Sequence, residues 1–213
     1  MKILILTSPN QWFVPYAEQL RDSVAESDLL FDHNKLEKAY DIVFILSYHK
    51  IIPQEKLALN QHNIVVHASA LPQGKGWAPL FWQVLEGKNE IPFTMFEASR
   101  GVDDGDVYMQ NSLPLTGHEL NKELRDKQAS FTIDMCMEFL ERYDDLKVPA
   151  KQKGEESYYL KRSAKDSELD INKAIKEQFD LLRIVSNEDY PAFFEIDGHK
   201  YILNIEKVSD ENR

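Results

Sequence analysis

His67 ends the stretch "NIVVH", in which Ile64, Val65 and Val66 deliver one titratable ring to the loop "ASALPQGKGW". An imidazole titrates near neutrality, so this position suits general acid–base work. On position alone, though, the ring reads more readily as structural, satisfied by neighbouring backbone. The stretch "SRGVDDGDVY" supplies carboxylates: Asp103, Asp104 and Asp106, framed by Gly101 and Gly105. It lacks the ligand spacing of a calcium loop, and no metal site is expected. Asp106 opens an apolar run, so it is the acid expected to point inward and pair with His67. A carboxylate in that place orients or charges the imidazole. Further polar groups follow the earlier strands: Asn10 after the first, and Tyr48, His49 and Lys50 after the second. No serine stands in a nucleophile elbow, which disfavours covalent acyl transfer.

The elements that must position these groups alternate. "KILILTS" (2–8), "DIVFILS" (41–47) and "NIVVH" (63–67) are continuous apolar runs, the pattern of strands buried on both faces of a parallel sheet. "VPYAEQLRDSVAES" (14–27) carries Val14, Ala17, Leu20 and Val24 at helical spacing, and Pro53 suits a first helical turn. "GWAPLFWQVLEG" (76–87) reads as a helix closed by Gly87, and "PFTMFEA" and "DVYMQN" as strands. Residues 116–146 read as one long helix capped by Thr116 with Glu119 three residues on. The fold class expected is α/β, a Rossmann-like doubly wound, mostly parallel sheet over 1–146. Residues 147–213 are expected to form a small α+β appendage: a polar crossing segment (147–168), a helix over 171–185 and a β-hairpin turning at Asp197-Gly198. In such sheets ligands sit at the carboxyl ends of the strands. The first βα junction, "TSPNQWFVP", lacks the glycine fingerprint of a dinucleotide site.

Composition narrows the partners. The 213 residues carry 25 Lys and Arg against 36 Asp and Glu, a net charge of -11. That excludes a general nucleic-acid partner, which requires a basic surface. The one cysteine, Cys136, excludes a disulfide framework and reads as a passive buried thiol. The apolar run at the N-terminus is too short for a signal core or a membrane span, so a cytoplasmic protein is expected. The 116–146 helix and the hairpin are candidate homodimer faces, with packing on the sheet as the plainer reading.

Three stretches taken together resemble the methionyl-tRNA formyltransferase-like family: "TSPNQWFVPYAEQL", "HASALPQGKGWAPLFWQVLEGKNEIPFTMF" and "GVDDGDVYMQ". The likeness runs over residues 1 to about 115. More weakly, "YYLKRSAKDSELD" and "SNEDYPAFFEIDGHKYIL" resemble the tail of small nucleotide-sugar N-formyltransferases, and "VVHASALPQGKGWAPL" those associated with pseudaminic-acid-type nonulosonate and surface-glycan synthesis. The resemblance implies a formyltransferase fold. It also implies transfer of a formyl group from N10-formyltetrahydrofolate to the amine of a nucleotide-linked amino-deoxy sugar. The catalytic residues it implies are His67 and Asp106. It places the pterin among Leu46, Tyr48, His49, Lys50 and Ile51 and the loop residues Val102, Asp103 and Asp104. It assigns the diphosphate to Asn10 and to Lys75 and Gly76 of the "GKG" loop, with Trp77 lining the site or packing under the loop. Lys161 and Arg162 are further phosphate or uracil contacts. The family's asparagine two residues before the histidine is replaced here by Val65. Asn63, on the same strand face, lies about 13 Å back from His67. The alternatives are a non-catalytic folate or sugar-nucleotide binding module of the same fold, and a glycinamide ribonucleotide formyltransferase.

Overall fold

The computed structural model describes residues 1–208. Four short strands form the parallel part of the sheet: β1 (Ile3–Leu6), β2 (Ser27–Leu30), β3 (Ile42–Ile45) and β4 (His62–His67). They lie parallel in the order β2-β1-β3-β4. Two further strands, β6 (Glu90–Glu97) and β7 (Val107–Pro114), extend the sheet beyond β4, each antiparallel to its neighbour. A two-residue strand, β5 (Lys75–Gly76), lies outside this sheet.

β1 and β3 are apolar throughout because both faces are covered. Ile3, Ile5, Ile42, Phe44 and Ile64 face one core with α1 (Val14–Ser23), α3 (Pro79–Leu85) and α4 (Asn121–Glu141). Leu4, Leu6, Val43 and Ile45 face a second core with Leu36, Tyr40 and Leu57, the last on α2 (Gln54–Leu57). Each fully buried side chain of this kind stabilises the fold by about 1.5–3 kcal/mol. Cys136 is buried in the first core, and burial pushes its thiol up, which keeps it inert.

Four local expectations change. The helix expected over 14–27 ends at Ser23, and Ser27 opens the edge strand β2, whose sequence "SDLL" is partly exposed and lacks the apolar run that marked its neighbours. The long helix begins at Asn121 rather than after Thr116, because Gly117 adopts φ +85° and turns the chain out of the helical path. Glu119 still receives the Thr116 N–H at 2.7 Å, but as a turn. The helix then breaks at Arg142 before a four-residue helix, α5 (Tyr143–Leu146). The crossing segment is partly ordered on the core: Ala150 and Val107 exchange backbone hydrogen bonds, and β8 (Tyr158–Tyr159) pairs in parallel with β5. The helix expected over 171–185 contracts to a single-turn 3-10 segment, Ile175–Gln178, and α6 (Phe179–Ile184).

The hairpin forms as expected. β9 (Ala192–Ile196) and β10 (His199–Leu203) turn at Asp197 and Gly198, both at positive φ. Leu169, Leu182, Val185 and Ala192 form a small core beneath it. A buried ion pair ties this unit to the sheet domain: Arg183 lies 3.3 Å from Glu119, both about 1–3% exposed in their side chains.

Candidate active site

The order β2-β1-β3 reverses direction between β1 and β3, which opens a crevice at their carboxyl ends. Its two lips are tied together. Gln11 donates to Thr7 Oγ1 at 2.8 Å and to Ser47 O at 3.2 Å, and its carbonyl accepts from Ser47 Oγ at 2.9 Å. The His49 N–H donates to Ser8 Oγ at 2.9 Å.

His67 stands at the end of β4, its side chain 11% exposed. Its Nε2 lies 2.9 Å from Gly74 O. A carbonyl only accepts, so Nε2 carries a proton, and the lone pair of the neutral ring is on Nδ1. The nearest carboxylate is that of Asp103, with Oδ2 3.7 Å from Nε2. This corrects the expected partner. Asp106 pairs with the exposed Lys151 at 3.0 Å. The reason is topological: β6 runs antiparallel to β4, so its end at Glu97 pairs with Ile64, three residues before His67. Asp106 sits beside that end, its carbonyl bonded to the Glu97 N–H at 2.8 Å, one strand away from β4. The loop that follows β6 leaves the sheet beside Asn63 and reaches back to His67 only by residue 103.

That loop is held from three sides. The Gly76 N–H donates to Asp103 Oδ2 at 2.8 Å. Gln152 Nε2 donates to the carbonyls of Asp103 at 2.9 Å and Gly105 at 2.8 Å. Lys75 Nζ, in a side chain only 1% exposed, bridges Asp104 at 2.9 Å and Glu156 at 2.8 Å. Burial opposes its charge, and the two carboxylates outweigh that and hold its pKa above the ordinary lysine value. Lys75 is therefore a clamp between loops, not the free phosphate contact expected of it. Gly76 must be glycine: it adopts φ +98°, and a Cβ there would lie 2.5 Å from Tyr159 O.

The other expected residues divide by position. Leu46 is buried, its N–H bonded to Leu6 O at 2.9 Å. Tyr48 turns away, its hydroxyl on His33 Nδ1 at 2.7 Å, and Lys50 reaches Asp32 at 3.3 Å. Ile51 and Val102 are unburied, 83% and 60% exposed. Asn10 is exposed at positive φ. The His49 ring stacks on Trp77, centroids 6.4 Å apart, and Lys161 Nζ lies 4.9 Å from the Trp77 ring. Burial, then Lys161 and Arg125, push the His49 pKa down. Arg162 donates to Asp166 O at 3.0 Å, while its buried Nε has no partner among the described residues. Val65 packs in the second core. Asn63 is no substitute for the missing asparagine, since its amide is committed to Leu57 O at 3.0 Å and Glu97 at 3.2 Å. Sequence reasoning missed Gln152 and Arg125, because their partners come from segments distant in the chain. No metal-ligating cluster and no helix long and apolar enough to cross a membrane occur among the described residues.

Known proteins share this fold. The chain is 32% identical over 121 residues to the methionyl-tRNA formyltransferase of Caldanaerobacter subterraneus, which is 56% of this chain and 39% of that protein. It thus spans well under two thirds of that relative's length. The methionyl-tRNA formyltransferase of Clostridium thermocellum superposes with a TM-score of 0.81 at 19% identity, over 99% of this chain and 95% of that one. A 4-N formyltransferase from Francisella tularensis gives 0.73 at 17% identity, over 97% and 99%. HypX from Aquifex aeolicus in complex with tetrahydrofolic acid gives 0.72 at 20% identity, over 95% and 37%. At these identities the superpositions establish the fold, an α/β formyltransferase fold. The formyl transferase family profile matches residues 7–140, a span that includes His67 and the whole Asp103 loop, and the chain belongs to that family.

Proposed function

We propose that this chain transfers a formyl group from N10-formyltetrahydrofolate to the amine of a nucleotide-linked amino-deoxy sugar, acting in the cytoplasm. The finer reading is a UDP-4-amino-4,6-dideoxy sugar of nonulosonate, pseudaminic-acid-type synthesis. The observation that carries the chemistry is the His67–Asp103 pair at 3.7 Å, both side chains under 15% exposed. Family membership supports the formyl donor, and the tetrahydrofolic acid bound by HypX fits it. The loops bearing Ile51 and Val102 suit the pterin, because they present apolar surface that a flat ring would cover. A sugar N-formyltransferase from Shewanella, similar in fold with a TM-score of 0.70 at 17% identity over 98% of this chain and 100% of that one, supports the sugar. A tRNA substrate fits poorly with the net charge of -11.

The mechanism follows from the pair. The folate supplies an activated formyl carbon, and the substrate amine adds to it. His67 Nδ1 takes the amine proton, and the imidazolium so formed is stabilised by Asp103 beside Nε2. The proton is returned to N10 of the leaving folate as the C–N10 bond breaks, giving a formamide and tetrahydrofolate. With Val65 in the asparagine position, the protonated His67 is the side-chain donor proposed for the developing oxyanion. Turnover with N10-formyltetrahydrofolate and a panel of amino-sugar nucleotides tests this. Formylated sugar product is expected; tight binding without turnover refutes the enzyme reading in favour of a binding module.

A further inference from the structure

A cleft of about 1280 Å³ opens next to Trp77, bounded by Trp12, Tyr16, Phe81 and the first turns of α4 on one side and by residues 161–163, 184–190 and 205–208 on the other. It starts one residue from Gly76, whose N–H holds Asp103. Four of the charges in its walls pair with one another. Lys207 meets Glu123 at 2.6 Å, and Asp126 receives the Tyr16 hydroxyl and faces Lys122 at 3.9 Å. Glu188, Asp189 and Glu206 also line it.

Arg125 is different. Its Cζ lies 4.4 Å from the ring centroids of both Trp12 and Phe81. Among the described residues it makes no hydrogen bond and no ion pair. Burial pulls its pKa down to about 10, opposed by the charge of Asp189, so it remains charged at neutral pH. A shielded guanidinium without an anion is costly unless a ligand supplies one. Contact with two aromatic rings also fixes the orientation of its donor fork in advance, which favours a planar or bidentate oxyanion. Two further cations lie near it. Lys161 sits over Trp77, and both Lys161 and Arg125 act on His49. Arg162, the next residue, keeps a buried Nε unpartnered among the described residues. Lys75, by contrast, is consumed in its two ion pairs.

We infer that Arg125, with Lys161 and Arg162, is the group that reads the diphosphate of the amine substrate, and that Lys75 is not. The inference rests on the reading of that substrate as a nucleotide sugar. It makes the cleft beside Trp77 the seat of substrate specificity: an amine without a diphosphate lacks the anion that Arg125 requires.

The test uses UDP as the probe and calorimetry on the full chain. Arg125→Gln is expected to weaken UDP binding about 10- to 100-fold, the effect of losing charge-assisted hydrogen bonds. It should raise KM for the sugar nucleotide by a similar factor and leave the KM for the folate unchanged. Wild-type UDP affinity in a folded Arg125→Gln protein overturns the inference and leaves the nucleotide-sugar reading standing. If the wild-type chain formylates a non-nucleotide amine and binds neither UDP nor dTDP, the nucleotide reading itself fails and the inference falls with it. Should Arg125→Gln not fold, the wild-type protein decides. UDP is expected to protect Arg125 and Arg162 from phenylglyoxal while exposed Arg142 reacts as before. Equal modification of Arg125 with and without UDP overturns the assignment.

Discussion

Asp103→Asn isolates the charge that the structure sets beside His67. Asparagine keeps an oxygen to accept the Gly76 N–H, so the loop retains its anchor. What is lost is a unit negative charge 3.7 Å from Nε2. Between unit charges at that separation, Coulomb's law gives about 4.5 kcal/mol at an effective dielectric of about 20 and about 1.1 kcal/mol in bulk water. The side chains are 11% and 14% exposed, which places the pair nearer the first limit. In the proposed mechanism the imidazolium forms as the amine proton is transferred, so the loss falls on kcat. A loss of about 2–4 kcal/mol corresponds to about 30- to 1000-fold. Asp106→Asn is the matched control. Asp106 pairs with a lysine that is 84% exposed, a contact worth at most about 1 kcal/mol to stability, so kcat should stay within about twofold. Steady-state formylation kinetics on both variants, with thermal melts to confirm folding, make the comparison. Full activity in Asp103→Asn together with loss in Asp106→Asn would refute the pairing read from the structure.

Three other outcomes follow from the same contacts. Lys75→Met should lower stability by about 1–2 kcal/mol, because its half-exposed carboxylate partners rehydrate, and should reduce kcat while leaving the KM for the sugar nucleotide within about threefold; a large KM rise measured in the same assay restores a phosphate role. Gly76→Ala must displace Tyr159 O by at least 0.5 Å to bring the 2.5 Å contact to 3.0 Å, and it also strains a φ of +98°. A melting-point drop matching about 2–3 kcal/mol and a fall in kcat are expected, and an unchanged melt argues against the close approach. The third concerns acid stability. Burial favours the protonated form of Glu119, but hydrogen bonds from the Thr116 turn and the Lys127 pair outweigh it and hold its pKa down to about 2. With an ordinary value of 4.5 when unfolded, its contribution of about 3 kcal/mol is present above pH 4.5 and lost as the pH falls toward 2. Denaturant titrations across that range should show the loss in the wild type and a flatter profile in Glu119→Gln.

Fold class was legible in the chain because it depends on local pattern. Runs such as "ILIL" and "IVFIL" are apolar at every position, a pattern that suits a strand covered on both faces, and the structure buries alternate residues in two cores. The hairpin was legible for a similar reason: Asp197 and Gly198 tolerate the positive φ that the turn imposes. His67 was legible as the end of a strand, and the Asp/Gly loop as its source of a carboxylate. Which carboxylate was not. Counting from the strand start favoured Asp106, but the direction of β6 decides where each loop residue lands, and direction is a property of pairing between strands rather than of either strand alone. Lys75 looked like a free cation in a glycine-rich loop, because Glu156, which neutralises it with Asp104, lies 81 residues away in sequence. Arg125 went unremarked in the sequence, because Trp12 and Phe81 reach it only after separate segments pack together. The sequence by itself thus determined the central strands, the hairpin turn and the place of the histidine, all of which follow from side chains near one another in the chain. Only the tertiary structure decided which charges meet and which remain unpaired, because electrostatic pairing depends on distance in space.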